Sequence, residues 1–259
     1  MKDMYSMSID SAQHDKYYDS VIGAYKQVFD RVGLGEDTYV TFASGGAFTQ
    51  FSHEFQTVCE AGEDTIYLHR GKNIAINKEV LSDDSLKGLG VNRQDLEEVK
   101  SSEVGNIFNF GTEKSEKMDF SFTNEAGEKQ FVHLGSYGIG ITRLMGVVAE
   151  KFSDEKGLVW PEAIAPAKVY LARLGETAEV TKQADELYER LTASQVQVLY
   201  DDRDIRAGEK FADADLMGIP YRVVISEKTA AGSTYELKAR AEGEARQVSS
   251  EELSKLVTQ

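Results

Sequence analysis

Cysteine, proline and histidine are scarce in this chain of 259 residues, which has one cysteine, three prolines and four histidines. The single cysteine, Cys59, excludes an internal disulfide and any zinc site built from several cysteines. With the histidines scattered along the sequence, no metal site is predicted. The sequence has no apolar run long enough to span a membrane and no signal-peptide pattern, so we expect a cytoplasmic protein that makes no contact with membranes.

Basic residues are also fewer than acidic ones. The chain has 29 lysines and arginines and 44 aspartates and glutamates, which gives a formal net charge of −15. Such a charge excludes binding of nucleic acid through a general basic field. Residues 1–166 carry 16 basic against 27 acidic residues, and residues 167–259 carry 13 against 17. Any contact with RNA must therefore come from a local patch of cations.

The most informative stretch present is residues 131–150. Residues 131–137 have the composition of a strand, and the apolar residues from Ile141 onward recur at helical spacing. Gly138 and Gly140 between them would let a ligand lie flat against the backbone. Arg143 falls in the first helical turn, where the helix dipole disfavours a cation unless an anion or a π-system meets it. The pattern indicates a ligand-binding site at the turn between the strand and the helix. The alternative is a structural strand–helix turn with a solvated arginine.

The string Gly138-x-Gly140-x-x-Arg143 resembles motif 3 of class II aminoacyl-tRNA synthetases. The longer string Gly135-Ser-Tyr-Gly-Ile-Gly-Ile-Thr-Arg143 is similar to the bacterial-type prolyl-tRNA synthetase version. The resemblance implies that the strand forms the floor of the active site. It also implies that Arg143, as the catalytic residue, lies against the adenine and phosphates of ATP, with Gly138 and Gly140 in the same ATP site. Ser136 would belong to the proline site.

Residues 1–7 alternate as a strand would, which places Met1, Asp3 and Tyr5 on one face. The string Met1-Lys-Asp-Met-Tyr-Ser resembles the second half of motif 2 in prolyl-tRNA synthetases, and this implies that the three residues line the proline pocket. In that family the motif 2 arginine comes before this string, and motif 1 comes earlier still. We therefore expect the chain to be the C-terminal part of a longer enzyme and to be inactive alone.

Two further strand-like segments resemble the same family. Residues 48–58 include Ser52-His-Glu-Phe55, which implies a role for His53 and Glu54 in the proline site; the alternative is a structural His–Glu pair. Residues 103–112 resemble a segment whose glutamine and threonine contact ATP. Thr112 matches the threonine, whereas Asn109 replaces the glutamine with a side chain that is one methylene shorter.

Residues 69–101 are polar, with a strand predicted at Asn73–Asn77 and a short helix at Asp95–Val99. In most bacterial prolyl-tRNA synthetases an editing domain that hydrolyses alanyl-tRNA is inserted near this position. A segment this short cannot contain a comparable core. The chain therefore resembles the variants without that domain.

Two of the three prolines lie in residues 160–166, which we interpret as a domain boundary. Beyond it, strand and helix periods alternate, as is typical of an α/β domain. Residues 201–222 resemble the anticodon-binding domain shared by the prolyl, threonyl, histidyl and glycyl enzymes. The resemblance suggests four candidates for RNA contact, each with a solvated surface charge as the alternative: Arg203, Arg206, Lys210 and Arg240.

The sequence thus predicts an incomplete α+β class II synthetase catalytic core, with an antiparallel sheet and helices, at residues 1–163. An α/β anticodon-binding domain is predicted at residues 167–259. The resemblance implies activation of proline with ATP and Mg²⁺, transfer to tRNA(Pro), and a homodimer in the full-length enzyme. Two alternatives stay open: a threonyl-type synthetase, whose zinc would suit a chain with more cysteines, and a catalytically inactive tRNA-binding paralogue.

Overall fold

The structure is a computed structural model that describes residues 1–44 and 51–258. The chain divides into two compact units, Met1–Glu150 and Lys151–Gln259. The boundary predicted at residues 160–166 stays a prediction. Among the described residues, no helix combines the length and the apolar character that crossing a membrane requires.

The first unit is built on a seven-stranded sheet with the strand order β1-β9-β6-β3-β2-β5-β4. Neighbouring strands of this sheet are antiparallel, except for β2 and β5, which are parallel. The strands of this unit are β1 (Lys2–Ser8), β2 (Thr38–Ser44), β3 (Phe51–Val58), β4 (Asp64–His69), β5 (Ile74–Asn77), β6 (Glu97–Gly111), β7 (Ser121–Thr123), β8 (Lys129–Phe131) and β9 (His133–Ile139). The helices are α1 (Ser11–Arg31), α2 (Asp83–Leu89), α3 (Glu113–Lys117) and α4 (Ile141–Lys151).

Helix α1 covers one face of this sheet. Asp10 caps its start by accepting from the backbone N–H of Gln13, and Gly33 follows its end with a φ of 83° that favours glycine. The rings of Tyr25 and Phe29 lie 4.9 and 5.3 Å from that of Phe55 on β3. Because α1 packs on this face, side chains on the opposite face of β1, β9 and β6 are not covered by it.

Several predicted elements of the first unit need correction. The helix predicted at Asp95–Val99 is wrong: a short 3₁₀ turn spans Arg93–Asp95, and β6 begins at Glu97. Residues 97–99 pair with β4, so tertiary pairing outweighs local propensity. The strand predicted at residues 131–137 is divided between β8 and β9, and β9 extends to Ile139. Residues 48–50 of the strand predicted at 48–58 lie outside the described residues.

The second unit is a mixed five-stranded sheet in the order β13-β12-β14-β15-β16. Strand β12 is parallel to both of its neighbours, and β14, β15 and β16 are antiparallel. The strands of the unit, including a small hairpin before the sheet, are β10 (Ser153–Asp154), β11 (Gly157–Leu158), β12 (Val169–Leu174), β13 (Val198–Asp201), β14 (Tyr221–Ser226), β15 (Tyr235–Ala239) and β16 (Arg246–Val248). The helices are α5 (Ala178–Ala193), α6 (Ala207–Met217), α7 (Glu227–Gly232) and α8 (Ser250–Val257).

Helices pack on both faces of this second sheet. Alternate residues of β12 point to opposite sides: Leu171 joins the cluster that contains Leu187 of α5 and Leu253 of α8, and Tyr170 joins the cluster that contains Ala214 of α6. The period of two along β12 therefore separates two hydrophobic cores. This confirms the predicted α/β architecture of the C-terminal part.

Candidate active site

Strands β1 and β9 place four of the predicted site residues, Asp3, Tyr5, Ser136 and Gly138, on the face of the first sheet that α1 leaves open. Asp3 pairs with Gly138, and Tyr5 pairs with Ser136. On the other side of β9, Asn106 pairs with Gly138 and Phe108 with Ser136. Because directly opposed residues project from the same face of a sheet, these side chains form two adjacent rows.

Gly138 forms the floor of a shallow cavity at the end of these rows. The cavity measures about 300 Å³ and is lined by side chains and backbone that include Met1, Asn106, Gly140 and Arg143. A β-carbon at position 138 would lie 2.9 Å from Cε of Met1 and would occupy this space. The absence of a side chain at Gly138 therefore keeps the backbone open to a flat ligand, as the sequence suggested.

Arg143 lies at the rim of this cavity, in the first turn of α4. Its Nη1 donates to the backbone carbonyl of Glu103 at 2.8 Å and lies 3.2 Å from Oε1 of Glu63 and 3.8 Å from Oε2 of Glu103. About half of the side chain is exposed. The guanidinium is thus anchored and yet accessible, which suits binding of an anion or a planar base.

Two carboxyl groups lie near the arginine: Glu54 is buried, and Glu103 is partly buried. Burial, and secondarily the charge of Glu54, raises the pKa of Glu103 to about 7. Asn106 Nδ2 donates to Glu103 at 3.0 Å, while the buried Oδ1 of Asn106 has no hydrogen-bond partner among the described residues. Glu54 accepts from Gln56 and Asn77, each at 2.9 Å, and burial raises its pKa. The site therefore combines one cation with acids that titrate above their usual range.

Three of the predicted residues lie elsewhere. His53 points toward α1, where its Nδ1 lies 2.8 Å from the hydroxyl of Tyr18, and burial lowers its pKa. Asn109 and His53 line a separate cavity of about 840 Å³ against α1. Thr112 lies at the N-cap position of α3 and donates to Glu116 at 2.5 Å. The structure does not bring these three together with Arg143.

The four candidates for RNA contact divide into two exposed and two buried residues. Arg206 is exposed at the N-cap position of α6. Arg203 is half exposed and donates to Asp201 and Asp213 at 2.8 and 2.7 Å. By contrast, Lys210 and Arg240 lie in the interior of the second unit. Both buried side chains contact protein groups, so the structure places them away from a partner in solution.

The two buried cations have clear structural roles. Lys210 donates to the carbonyls of Arg173 and Asp201 at 2.6 and 3.0 Å. Arg240 forms a paired contact with Asp154 at 2.8 and 2.6 Å. The hydrogen bonds from Arg240 hold the pKa of the Asp154 carboxyl well below its usual range.

Sequence reasoning missed Glu63, Glu103 and Asn106. Glu103 carried a usable signal, since it is an acidic residue flanked by small and apolar residues at positions 101–105, and such a residue needs a partner when it is buried. Glu63 carried none, because nothing in the sequence places its turn near Arg143.

Comparison with known proteins gives matches over both units. The family described as tRNA synthetase class II core domain (G, H, P, S and T) matches residues 1–152. The family described as anticodon binding domain matches residues 168–259. Each unit of the structure therefore has its own family match.

Curated proteins named Proline--tRNA ligase are similar over nearly the whole chain. The protein of Wolbachia pipientis wMel is 33% identical over 97% of this chain. That of Rhodopseudomonas palustris is 35% identical and that of Rickettsia bellii 36% identical, each over 94% of this chain. The chain spans 61%, 61% and 59% of the lengths of these three relatives.

Proposed function

The chain belongs to the class II tRNA synthetases, and from this premise we propose that it carries the activity of a proline--tRNA ligase. The observation that supports the proposal best is Arg143, half exposed beside the glycine-floored cavity on the open sheet face. Adenylation needs no general base from the enzyme, since the substrate carboxylate attacks the α-phosphate. The protein contributes positioning and charge stabilisation.

Class II synthetases use ATP with a divalent metal, and we propose that the cavity at Gly138 and Gly140 takes the ATP. The fit rests on the open backbone at Gly138 and on the exposed guanidinium of Arg143. Among the described residues, no group of three or more acidic, histidine or cysteine side chains converges to hold a metal. Mg²⁺ would therefore be held mainly by the phosphates, with Glu103 as a carboxylate that lines the cavity, and would neutralise phosphate charge.

We further propose that proline binds beside the ATP, over the rows that contain Asp3, Tyr5 and Ser136. Met1 and Glu54 border the same face, whereas His53 points to the other. Tyr5 and Phe108 flank Ser136 across the sheet. Two aromatic rings beside a small hydroxyl would suit a compact apolar ring better than a long or charged side chain.

Amino-acid-dependent ATP–pyrophosphate exchange tests the proposed activity. The assay is run with the 259-residue chain alone and with the chain mixed with the part of a curated relative that it does not span. We expect proline to stimulate exchange in at least one sample, and Arg143→Ala to lower it by roughly 100-fold or more. Stimulation by threonine, serine, histidine or glycine instead of proline would contradict the assignment.

For the second unit we propose binding of the anticodon of tRNA(Pro), through Arg203 and Arg206 rather than the buried Lys210 and Arg240. Unpaired anticodon bases can be stacked on and hydrogen-bonded along their edges, so a few side chains suffice. Titration of the chain with tRNA(Pro) and with the same tRNA carrying another anticodon is the direct test. Equal affinity for the two would remove the reason to assign an anticodon reader.

The proposal also includes the partners, the cellular location and the oligomeric state of the enzyme. Its partners would be proline, ATP and tRNA(Pro) in the cytoplasm, where translation takes place. The full-length enzyme would be a homodimer, which sedimentation of the full-length form can test.

A further inference from the structure

We propose that Glu63 is a positioning residue for Arg143: it holds the guanidinium by one end so that its other end and its flat face are presented to ATP. The identity of the ligand, ATP, rests on the proposed function. The contact between Glu63 and Arg143 is observed in the structure and does not depend on that function. Neither the family match nor the similarity to the ligases assigns a role to Glu63.

The first observation is the distribution of contacts on the guanidinium. Within the described part of the chain, all three polar contacts of Arg143 fall on Nη1: the carbonyl of Glu103, the carboxylate of Glu63 and, at greater distance, the carboxylate of Glu103. Nη2, Nε and the faces of the plane are left to a ligand. The two acceptors at Nη1, from Glu103 and Glu63, restrict rotation of the guanidinium plane, and this lowers the entropy that a ligand must remove on binding.

The second observation is that the turn carrying Glu63 is itself fixed. Gly62 packs so closely on β6 that a β-carbon there would lie 2.2 Å from the carbonyl oxygen of Ser101. The turn is closed by a hydrogen bond from the Gly62 N–H to the carbonyl of Cys59 at 3.1 Å. Asp64, directly after Glu63, pairs with Ser101 in the sheet. Glu63 therefore projects from a turn tied to the strand that supplies Glu103.

The third observation is that Glu63, and not Glu103, supplies the carboxylate nearest to the guanidinium. The carboxylate of Glu103 is 3.8 Å from Nη1, against 3.2 Å for that of Glu63. Glu63 is exposed to solvent and supplies the nearer negative charge.

The test is a double-mutant cycle on ATP binding, measured by calorimetry with the whole chain. We expect Glu63→Ala to raise the Kd for ATP by roughly 3- to 10-fold, and Glu63→Gln, which keeps the acceptor without the charge, to raise it less. Glu60→Ala, an exposed acid in the same turn, is the matched control and should leave the Kd unchanged. In a chain that already carries Arg143→Ala, Glu63→Ala should not raise the Kd for ATP any further.

A second readout does not depend on nucleotide. The Nε–Hε resonance of Arg143, assigned by its absence in Arg143→Lys, should show faster motion in Glu63→Ala than in Glu60→Ala. An unchanged Kd in Glu63→Ala, or an increase that persists in the Arg143→Ala background, would overturn the inference. If the unsubstituted chain binds no ATP, the proposed function fails instead. In that case the Nε–Hε resonance alone tests the role of Glu63. Equal motion in Glu63→Ala and Glu60→Ala would show that Glu63 does not hold the arginine.

Discussion

At the residue scale, the carboxyl group of Glu103 is the site's main source of pH dependence. Burial is the larger cause of its raised pKa, and the charge of Glu54 is the second. The folded chain therefore keeps a proton on Glu103 at pH values where the unfolded chain has released it. It follows that Glu103 lowers the free energy of unfolding as the pH rises from about 4.5 through about 7.

We expect ¹³C NMR of labelled glutamate side chains to show one carboxyl that titrates with a pKa near 7. This resonance should be absent in Glu103→Gln. In Glu54→Gln its pKa should fall, because the repulsion between the two carboxylates is removed. A titration of Glu103 in the ordinary range for glutamate, with no response to Glu54→Gln, would contradict this account of the site.

Gly138 provides a second prediction at this scale. Gly138→Ala should preserve the fold, because the atom nearest to the new methyl group is the mobile end of Met1. The methyl group would nevertheless occupy the cavity, and we expect the affinity for ATP to fall by about tenfold or more. Gly146→Ala is the control, since a β-carbon at that helical position meets nothing within 4 Å. It should leave ATP binding unchanged and stabilise the chain by about 0.5–1 kcal/mol in thermal melting.

At the scale of elements, Lys210 anchors helix α6 to the strands beside it. Its buried ammonium group joins the end of β12, through the carbonyl of Arg173, to the end of β13, through that of Asp201. Lys210→Met keeps the apolar part of the side chain but leaves both carbonyls without this donor. We expect a loss of about 2–4 kcal/mol in the unfolding of the second unit, followed through Trp160 fluorescence.

The matched control for Lys210→Met is Lys182→Met on α5. Lys182 is two-thirds exposed, and its ion pair with Glu186 has an N···O distance of 3.9 Å. This substitution should change the free energy of unfolding by less than about 0.5 kcal/mol. Equal effects of the two substitutions would show that Lys210 is not an anchor.

Elements whose pattern is local were predictable from the sequence, and elements that depend on distant pairing were not. Ser249 with Glu252 three residues later is a local capping pattern, and Ser249 does cap α8 by accepting from the N–H of Glu252. The apolar run Tyr221–Ser226 likewise forms β14. Helix α2, in the segment 69–101 that the sequence shows as polar, is not predicted, and neither is strand β4 directly before that segment. Leu86 of α2 is nevertheless buried in a small core with Ile76 and Val91. These apolar residues are too widely spaced in the sequence to show a period.

The same distinction applies to the candidate site. Spacing and resemblance predict that Gly138, Gly140 and Arg143 belong to the site. They also predict that Asp3 and Tyr5 share one face of their strand. Strand geometry also separates His53 from Glu54, because neighbours in a strand point to opposite faces. Which face α1 covers does not follow from the sequence, so the resemblance alone implies a proline-site role for His53, whereas in the structure His53 contacts Tyr18 of α1. Partners that come from distant strands and turns, such as Glu63, have no sequence signal.

At the scale of the whole molecule, the charge balance limits how the chain can bind RNA. A net charge of −15, with an acidic excess in both parts of the sequence, repels phosphates at long range. Binding of tRNA must then depend on short-range contacts made by few cations. We expect modest affinity and a shallow salt dependence, with log Kobs falling against log salt by a slope of about −2 to −3.

The two exposed arginines of the second unit should affect tRNA binding differently. The charge of Arg203 is balanced by Asp201 and Asp213 in direct contact, whereas Arg206 lies at the start of α6 beside solvent. Arg206→Ala should therefore reduce the salt slope by about one for every tRNA. Arg203→Ala should leave the slope nearly unchanged and reduce the discrimination between tRNA(Pro) and an anticodon-swapped tRNA by about 1–3 kcal/mol. Arg246→Ala, which removes an exposed arginine paired with Glu252, is the control. Titrations at several salt concentrations separate these effects, and an equal change of slope in all three variants would assign Arg203 and Arg206 to the general surface rather than to an anticodon site.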